Sequence, residues 1–184
     1  MTALLPPEIE ALQRRAHAFV EERLLPVEAD PASFGEGEHV APAVLADLRA
    51  EARRRGLWCP QLPVERGGKG LGPVGMAVIY ETLGRSRFGP AACNCAAPDD
   101  GNMLVLDKVG TPEQKARWLQ PIVDGRVRSA IVMTEPDPGA GSDPAGMMRT
   151  TAEPRGDRYI VHGRKWFITG AAGAAHFIQL ARTS

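Results

Sequence analysis

The sequence lacks an excess of charge of either sign, because 22 lysine and arginine residues balance 22 aspartate and glutamate residues. Binding along a nucleic-acid backbone depends on a concentration of cations, which this composition does not supply. The same balance disfavours attachment to an anionic membrane surface. The composition therefore predicts a protein with no nucleic-acid partner and no membrane partner.

Long apolar runs are also missing, since no stretch approaches the roughly 20 apolar residues that span a bilayer. The N-terminal segment MTALLPPEIEALQRR carries prolines and glutamates where a secretory signal needs a basic segment followed by an apolar one. Cysteine is scarce, and the odd number and the spacing of Cys59, Cys93 and Cys95 favour reduced thiols over disulfides. These features predict a cytoplasmic protein without membrane insertion.

The front part of the sequence has the periodicity of amphipathic helices. Helices are predicted from Glu8 to about Asp30, Pro42 to Arg55, Pro73 to Ser86 and Gly101 to Val109. A further helix is predicted after Thr111, with Pro112 at its first position and Gln114 as the partner of Thr111 in a capping box. The Gly- and Pro-rich stretch between the second and third helices predicts a long ordered loop without a regular element.

After Gly125 the pattern changes to short apolar and β-branched runs that are typical of strands. Five runs have strand-like length: RSAIVMT at 128–134, MMRTTAE at 147–153, DRYIVHG at 157–163, KWFIT at 165–169 and HFIQLAR at 176–182. The turn PRGD has the composition of a hairpin connection. The sequence therefore predicts an α+β protein, with an all-α N-terminal domain at residues 1–126 and the first strands of a β-domain at residues 127–184.

Two motifs in the β-domain resemble the middle-domain signature of acyl-CoA dehydrogenases. They are IVMTEPDPGAGSD at residues 131–143 and KWFITG at residues 165–170. The preceding APDDGNM and GTPEQKARWLQPIVDG resemble the helices before that domain, so the resemblance covers nearly the whole chain. It implies a β-barrel-like flavin-binding domain, FAD as the cofactor, and a C-terminal helical bundle that this chain does not contain. The common form of the first motif is TEPGAGSD, and this chain is two residues longer at Asp137 and Pro138.

The resemblance also implies the reaction, which is the α,β-dehydrogenation of acyl-CoA thioesters. The family's catalytic base is a glutamate of the C-terminal domain, so no catalytic residue is expected in this chain. The implied partners are the acyl-CoA substrate, an electron-transferring flavoprotein and, in the complete protein, further copies of the same chain. Two alternatives remain open: a non-catalytic flavin-binding or interaction fragment, and part of an acyl-CoA oxidase-like relative that uses oxygen.

The resemblance places the contacts to FAD in the two motifs. The residues expected to contact FAD are Ile131, Met133, Thr134, Gly141, Ser142, Phe167, Ile168 and Thr169, and Ser142 is also expected near the acyl-CoA. Hydroxyl and backbone N–H groups at strand ends, such as those of Thr134 and Thr169, suit the pyrimidine edge of a flavin, where reduction develops charge. A Gly-rich turn allows backbone amides to approach an anionic or carbonyl group closely.

Other interpretations of these motifs are weaker. Pro144 stands where a dinucleotide-binding fingerprint needs its third glycine, and the scattered histidines with the Cys93–Cys95 pair do not form a metal-binding pattern. Glu135 is the only carboxylate at the start of the signature. We expect it to accept backbone hydrogen bonds in the turn rather than to act as a base, and we expect Asp143 to do similar work.

Overall fold

A computed structural model describes residues 5–36 and 39–183, so the outermost residues of the two predicted domains, 1–4 and 184, lie outside the described part. The chain forms two compact units, residues 1–100 and 101–184. The predicted domain boundary at 126/127 differs from the division between these two units and remains a prediction. No helix in the described ranges is long and apolar enough to cross a bilayer.

The predicted helices are present with bounds close to those expected. Helix α1 consists of Pro7–Phe19, a π-helical stretch at Val20–Leu24, and Leu25–Glu28. The next helices are α2 at Pro42–Arg54, α3 at Pro73–Leu83, the short α4 at Gly89–Ala92, and α5 at Asp99–Val109. Helix α6 consists of Pro112–Gln114, a π-helical stretch at Lys115–Leu119, and Gln120–Val123.

The first unit is built on one apolar core between its helices. The buried side chains of this core include Leu12, Phe19, Val20 and Leu24 of α1, Leu48 and Ala52 of α2, and Ile79 and Leu83 of α3. Helix α2 ends in a Schellman motif, in which the Leu57 N–H donates to Ala52 O at 2.8 Å and Gly56 adopts a left-handed φ of +69°. The expected loop after α2 is ordered, but it contains one short 3₁₀ helix, Val64–Arg66, that the sequence did not indicate.

The second unit contains two pairs of strands. Strand β1, Arg128–Val132, lies parallel to β4, Ala174–Gln179. Strands β2, Thr151–Arg155, and β3, Arg158–His162, form an antiparallel hairpin whose turn has Gly156 at a left-handed φ of +64°. Arg182 forms an isolated bridge with Thr151, which brings the last described residues beside β2. The α+β fold class predicted from the sequence is confirmed.

Two strand predictions were wrong in detail. Residues 165–169 form no strand, because Phe167 adopts a left-handed φ of +48°, which lies outside the β region. The run 147–153 becomes a strand only at Thr151. The reason is that the N–H groups of Arg149 and Thr150 donate to the carboxylate of Glu135 instead of to a neighbouring strand.

Candidate cofactor site

The two sequence motifs lie side by side just beyond the end of β1. The Trp166 N–H donates to Thr134 O at 3.2 Å, and the Lys165 ammonium donates to Met133 O at 2.8 Å. Strand β1 ends at Val132, so Thr134 follows the strand and is not part of it, contrary to expectation. The structure therefore joins segments that are 32 residues apart in the chain at Met133 and Lys165.

The carboxylate of Glu135 holds this arrangement together from inside. Glu135 is 2% exposed, and its two oxygens accept hydrogen bonds from different donors. Oε1 accepts from the Thr150 N–H at 2.8 Å and from Lys165 Nζ at 3.0 Å. Oε2 accepts from the Arg149 N–H at 2.6 Å and, more weakly, from the Ala140 N–H at 3.4 Å. The prediction that Glu135 accepts backbone hydrogen bonds is confirmed.

These donors determine the protonation state of Glu135. Burial by itself raises the pKa of this carboxyl group, because it penalises the charged form. The hydrogen bonds from the backbone N–H groups of Arg149 and Thr150 and from the Lys165 ammonium outweigh burial and hold the pKa of Glu135 well below its usual range. The Lys165 side chain is itself only 7% exposed. At neutral pH the two side chains therefore form a buried ion pair.

The Gly-rich turn wraps closely around this carboxylate. The Glu135 N–H donates to Gly141 O at 2.9 Å and closes the turn, and Gly141 adopts a left-handed φ of +59°. A Cβ atom at Gly139 would lie 2.6 Å from both Cβ and Oε2 of Glu135, so the close approach requires glycine. The Ala140 amide of this turn therefore faces the carboxylate of Glu135, an anion that belongs to the protein itself.

The two additional residues of the motif lie at the outer end of the turn. Asp137 and Pro138 are both exposed, whereas the hydrogen bond between Glu135 and Gly141 closes the turn beneath them. Asp143 stabilises the chain after the turn, because its Oδ1 accepts from the Ala145 N–H at 3.0 Å. This local role of Asp143 agrees with the prediction.

The aromatic residues of the second motif face outwards. Phe167 is 83% exposed and Trp166 is 43% exposed. Their ring centroids are 4.7 Å apart with an interplanar angle of 43°. The exposed aromatic pair follows a segment whose backbone is hydrogen-bonded to the half-buried Thr134. Apolar ring surface and a hydroxyl-bearing residue on adjoining segments suit a planar ring with polar atoms on its edge.

Two protein-family models, each describing one domain, together match nearly the whole sequence of this chain. The model of the acyl-CoA dehydrogenase N-terminal domain matches residues 6–126, and that of the acyl-CoA dehydrogenase middle domain matches residues 130–184. The chain belongs to the acyl-CoA dehydrogenase family.

Individual members of the acyl-CoA dehydrogenase family support this assignment. The probable acyl-CoA dehydrogenase FadE2 of Mycobacterium tuberculosis is 40% identical over 86% of this chain and 39% of its own length. A solved structure from Mycobacterium abscessus, provisionally named an acyl-CoA dehydrogenase, superimposes with a TM-score of 0.86 at 36% identity, covering 98% of this chain and 47% of that one. A glutaryl-CoA dehydrogenase from Mycobacterium smegmatis in complex with FADH2 has a TM-score of 0.68 at 25% identity, covering 98% of this chain and 44% of that one. The chain thus spans less than half the length of these relatives.

The remaining predicted site residues of this family member lie in varied surroundings. Ile131 is 38% exposed and lies opposite Ile178 in the β1–β4 pair. Ser142 is exposed after the Gly-rich turn. Thr169 is exposed in a turn that the hydrogen bond from the Ala171 N–H to Ile168 O closes, so it does not lie at a strand end as expected. The hydrogen bonds from the Trp166 N–H to Thr134 O and from Lys165 Nζ to Met133 O join the two motifs directly.

Sequence reasoning missed Lys165 as a functional candidate, together with the amides of Arg149 and Thr150. A signal for Lys165 did exist, because a carboxylate that is buried within an apolar motif needs a cation or several donors. Lys165, the first residue of KWFITG, is a cation within the second motif and could have been proposed as that partner. No cluster of His, Cys, Asp and Glu suited to a metal ion occurs in the part of the chain that the structure describes.

The residues present fit the cofactor that the family implies. Thr134 is a half-buried residue with a hydroxyl group, and Trp166 and Phe167 offer exposed aromatic surface on the segment bonded to it. The two adjacent exposed rings present an apolar surface against which a planar ring can pack. FAD, with a flat ring and hydrogen-bonding atoms along one edge, matches both features.

Proposed function

We propose that this chain forms the FAD-contacting part of a dehydrogenase that introduces an α,β double bond into acyl-CoA thioesters. The observation that carries the proposal is the hydrogen bond from the Trp166 N–H to Thr134 O, which joins the backbone of the exposed aromatic pair to the backbone of Thr134. When bound, FAD supplies the acceptor for the hydride that leaves the β-carbon. Every other task falls to protein side chains and backbone groups.

The two threonines orient the cofactor in this proposal. The hydroxyl groups of Thr134 and Thr169 donate to the polar edge of the ring, and Trp166 and Phe167 cover one side of it and exclude water. Residues Ile131, Met133, Gly141, Ser142 and Ile168 complete the contact surface, and Ser142 also lies near the acyl-CoA. Donors that are already in place cost little reorganisation when charge develops, which is why such an arrangement favours reduction.

The base that removes the α-proton is proposed to lie outside residues 1–184. A general base needs a pKa near the working pH and access to the proton that it abstracts. Glu135 meets neither condition, because it is buried against Lys165 and its pKa is held well below the usual range. The resemblance to the family implies that the base lies in a C-terminal helical domain. The partners proposed on the same grounds are an electron-transferring flavoprotein and further copies of the chain.

Titration with FAD tests the proposed site. We expect Thr134→Val and Thr169→Val each to weaken FAD binding by about 0.5 to 3 kcal/mol, because a hydrogen bond is lost while the shape is nearly conserved. Thr183→Val is the matched control, since Thr183 is an exposed threonine outside both motifs. Wild-type dissociation constants in both site variants would refute the assignment of the two threonines.

An acyl-CoA-dependent dye-reduction assay tests the assignment of the base. The 184-residue chain with FAD is expected to show no turnover on short, medium or long acyl-CoA substrates, because a positioned base contributes about 10² to 10⁴-fold to such rates. Turnover comparable to that of an intact dehydrogenase would contradict this expectation, and Glu135→Gln would then be tested first, with loss of turnover assigned to a missing base only if the variant is folded and saturated with FAD. FAD binding without turnover would also leave the non-catalytic flavin-binding alternative in place, which a longer chain carrying the C-terminal helices would test.

A further inference from the structure

We propose that the buried ion pair between Glu135 and Lys165 is the positioning element of the flavin site, and that it sets the relative placement of Thr134 and the Trp166–Phe167 pair. This inference rests on the proposed function, because it concerns how the same cofactor is held. Neither side chain is expected to touch the cofactor, so both are positioning residues and not catalytic ones.

The argument begins with the number of segments that meet at one carboxylate. Glu135 accepts hydrogen bonds from the turn at Ala140, from Arg149 and Thr150 just before β2, and from Lys165. A carboxylate used only to close its own turn would need the first of these donors alone. The additional donors tie the end of β1 to two segments that lie 14 to 30 residues further along the chain.

Lys165 connects this carboxylate to the aromatic pair. Its ammonium donates both to Met133 O and to Glu135 Oε1, at 2.8 and 3.0 Å. The following residue, Trp166, donates its N–H to Thr134 O at 3.2 Å. Three consecutive residues of one motif, 133–135, thus contact two consecutive residues of the other. Contacts of this density fix both the distance and the rotation between the two segments.

Phe167 shows what this fixation achieves. Its left-handed φ of +48° is unfavourable for a residue with a Cβ atom, and its side chain is 83% exposed, so packing within this chain does little to offset that conformation. A backbone conformation of this kind persists only when its neighbours over-determine it. The anchored residues immediately before Phe167 are Lys165 and Trp166. Removal of the Lys165 anchor is therefore expected to release the aromatic pair from its position beside Thr134.

The test compares Lys165→Met with wild type in the 184-residue chain. Methionine keeps the apolar stem and removes the ammonium group. Folding is checked by far-UV circular dichroism, FAD affinity is measured by flavin fluorescence, and the visible circular dichroism of the saturated complex reports the geometry around the ring. We expect FAD to bind at least about tenfold more weakly, because about a tenth of the molecules or fewer would then hold the aromatic pair in its binding position, and we expect a changed visible spectrum. Arg155→Met is the matched control, since Arg155 forms an exposed ion pair with Glu153 at 3.7 Å, and it should change neither quantity.

Gly139→Ala provides a second variant that leaves every charge in place. Its Cβ atom would lie 2.6 Å from Glu135 Oε2, so it displaces the carboxylate and should change the flavin spectrum in the same way. Gly146→Ala is its control, because the Cβ atom there would meet no atom closer than Asp143 Oδ2 at 3.2 Å. If Lys165→Met does not fold, Gly139→Ala decides the question.

The outcomes separate this inference from the proposed function. If the wild-type chain binds no FAD, the proposed function fails and the positioning role fails with it. If the wild-type chain binds FAD and a folded variant shows the wild-type affinity and spectrum, the positioning role alone is overturned. Failure of both variants to fold would assign the ion pair to stability only and would also overturn the inference. A folded variant with weaker binding and a changed flavin spectrum supports it.

Discussion

Replacing Glu135 with glutamine would remove a charge while keeping the shape of the side chain. In the wild-type chain each carboxylate oxygen accepts from two donors, Thr150 N–H and Lys165 Nζ on Oε1, and Arg149 N–H and Ala140 N–H on Oε2. The glutamine amide has only one oxygen, and its NH₂ group is a donor. Whichever way the amide is turned, its NH₂ group takes the place of one carboxylate oxygen. The two donors that bonded to that oxygen, either Thr150 N–H and Lys165 Nζ or Arg149 N–H and Ala140 N–H, then lose their acceptor.

The expected loss of stability follows from this geometry. A buried donor left without an acceptor costs about 1 to 3 kcal/mol, and a buried ion pair that loses one partner costs about 3 to 5 kcal/mol. Glu135 is 2% exposed and the Lys165 side chain 7% exposed, so water does little to compensate. We therefore expect Glu135→Gln to destabilise residues 101–184 by about 3 to 5 kcal/mol at neutral pH, a large part of the roughly 5 to 15 kcal/mol that stabilises a typical domain.

The effect should depend on pH in one direction. The pKa of Glu135 is held below its usual range in the folded chain, so this carboxylate stabilises the fold at every pH above its unfolded pKa of about 4.3. As the pH falls below that value, the unfolded chain takes up a proton that the folded chain resists, and the contribution is progressively lost. The difference between wild type and Glu135→Gln should therefore be constant above about pH 5 and shrink in more acidic solution.

Urea-induced unfolding followed by hydrogen exchange measures this difference for residues 128–182 separately from the first unit. Glu153→Gln is the control, because Glu153 forms an exposed ion pair with Arg155 and its replacement should change stability by no more than about 0.5 kcal/mol. A loss of stability in Glu135→Gln that matches this control, or one that grows as the pH falls from 5 to 3, would refute the reasoning.

Two further predictions concern the helical part of the chain. Thr111→Ala should destabilise helix α6 by about 1 kcal/mol, whereas Thr111→Ser should retain most of the stability, because the Thr111 hydroxyl accepts from the Gln114 N–H in a capping box. Hydrogen exchange of residues 112–123 checks this, and equal protection in the two variants would contradict it. Cys59, Cys93 and Cys95 should react slowly with a thiol reagent at pH 8 and quickly in urea, because all three are buried and burial raises the pKa of Cys93 and of Cys95. Rapid reaction of the native protein would show that the core of the first unit opens readily.

The sequence by itself determined the features of this protein that depend on neighbouring residues. Helical periodicity predicted α1, α2, α3 and α5, and the order Thr111, Pro112, Gln114 predicted the capping box at the start of α6. These features are local, since a helix and its cap are formed by residues within a few positions of each other. The two motifs indicated the acyl-CoA dehydrogenase family, and the position of Glu135 within a turn indicated its use as a hydrogen-bond acceptor.

Only the tertiary structure decided what the second motif does. KWFIT has the composition of a strand, yet it forms none. The Lys165 ammonium donates to Met133 O and to Glu135 Oε1, and Phe167 adopts a left-handed φ. The partners of Glu135 at Arg149, Thr150 and Lys165 could not be assigned from spacing, because no local rule joins residues 14 to 30 positions apart. A buried carboxylate is stable only if donors satisfy it, and these donors can come from any segment that the fold brings close. That requirement overrides the strand propensity of the residues that supply these donors.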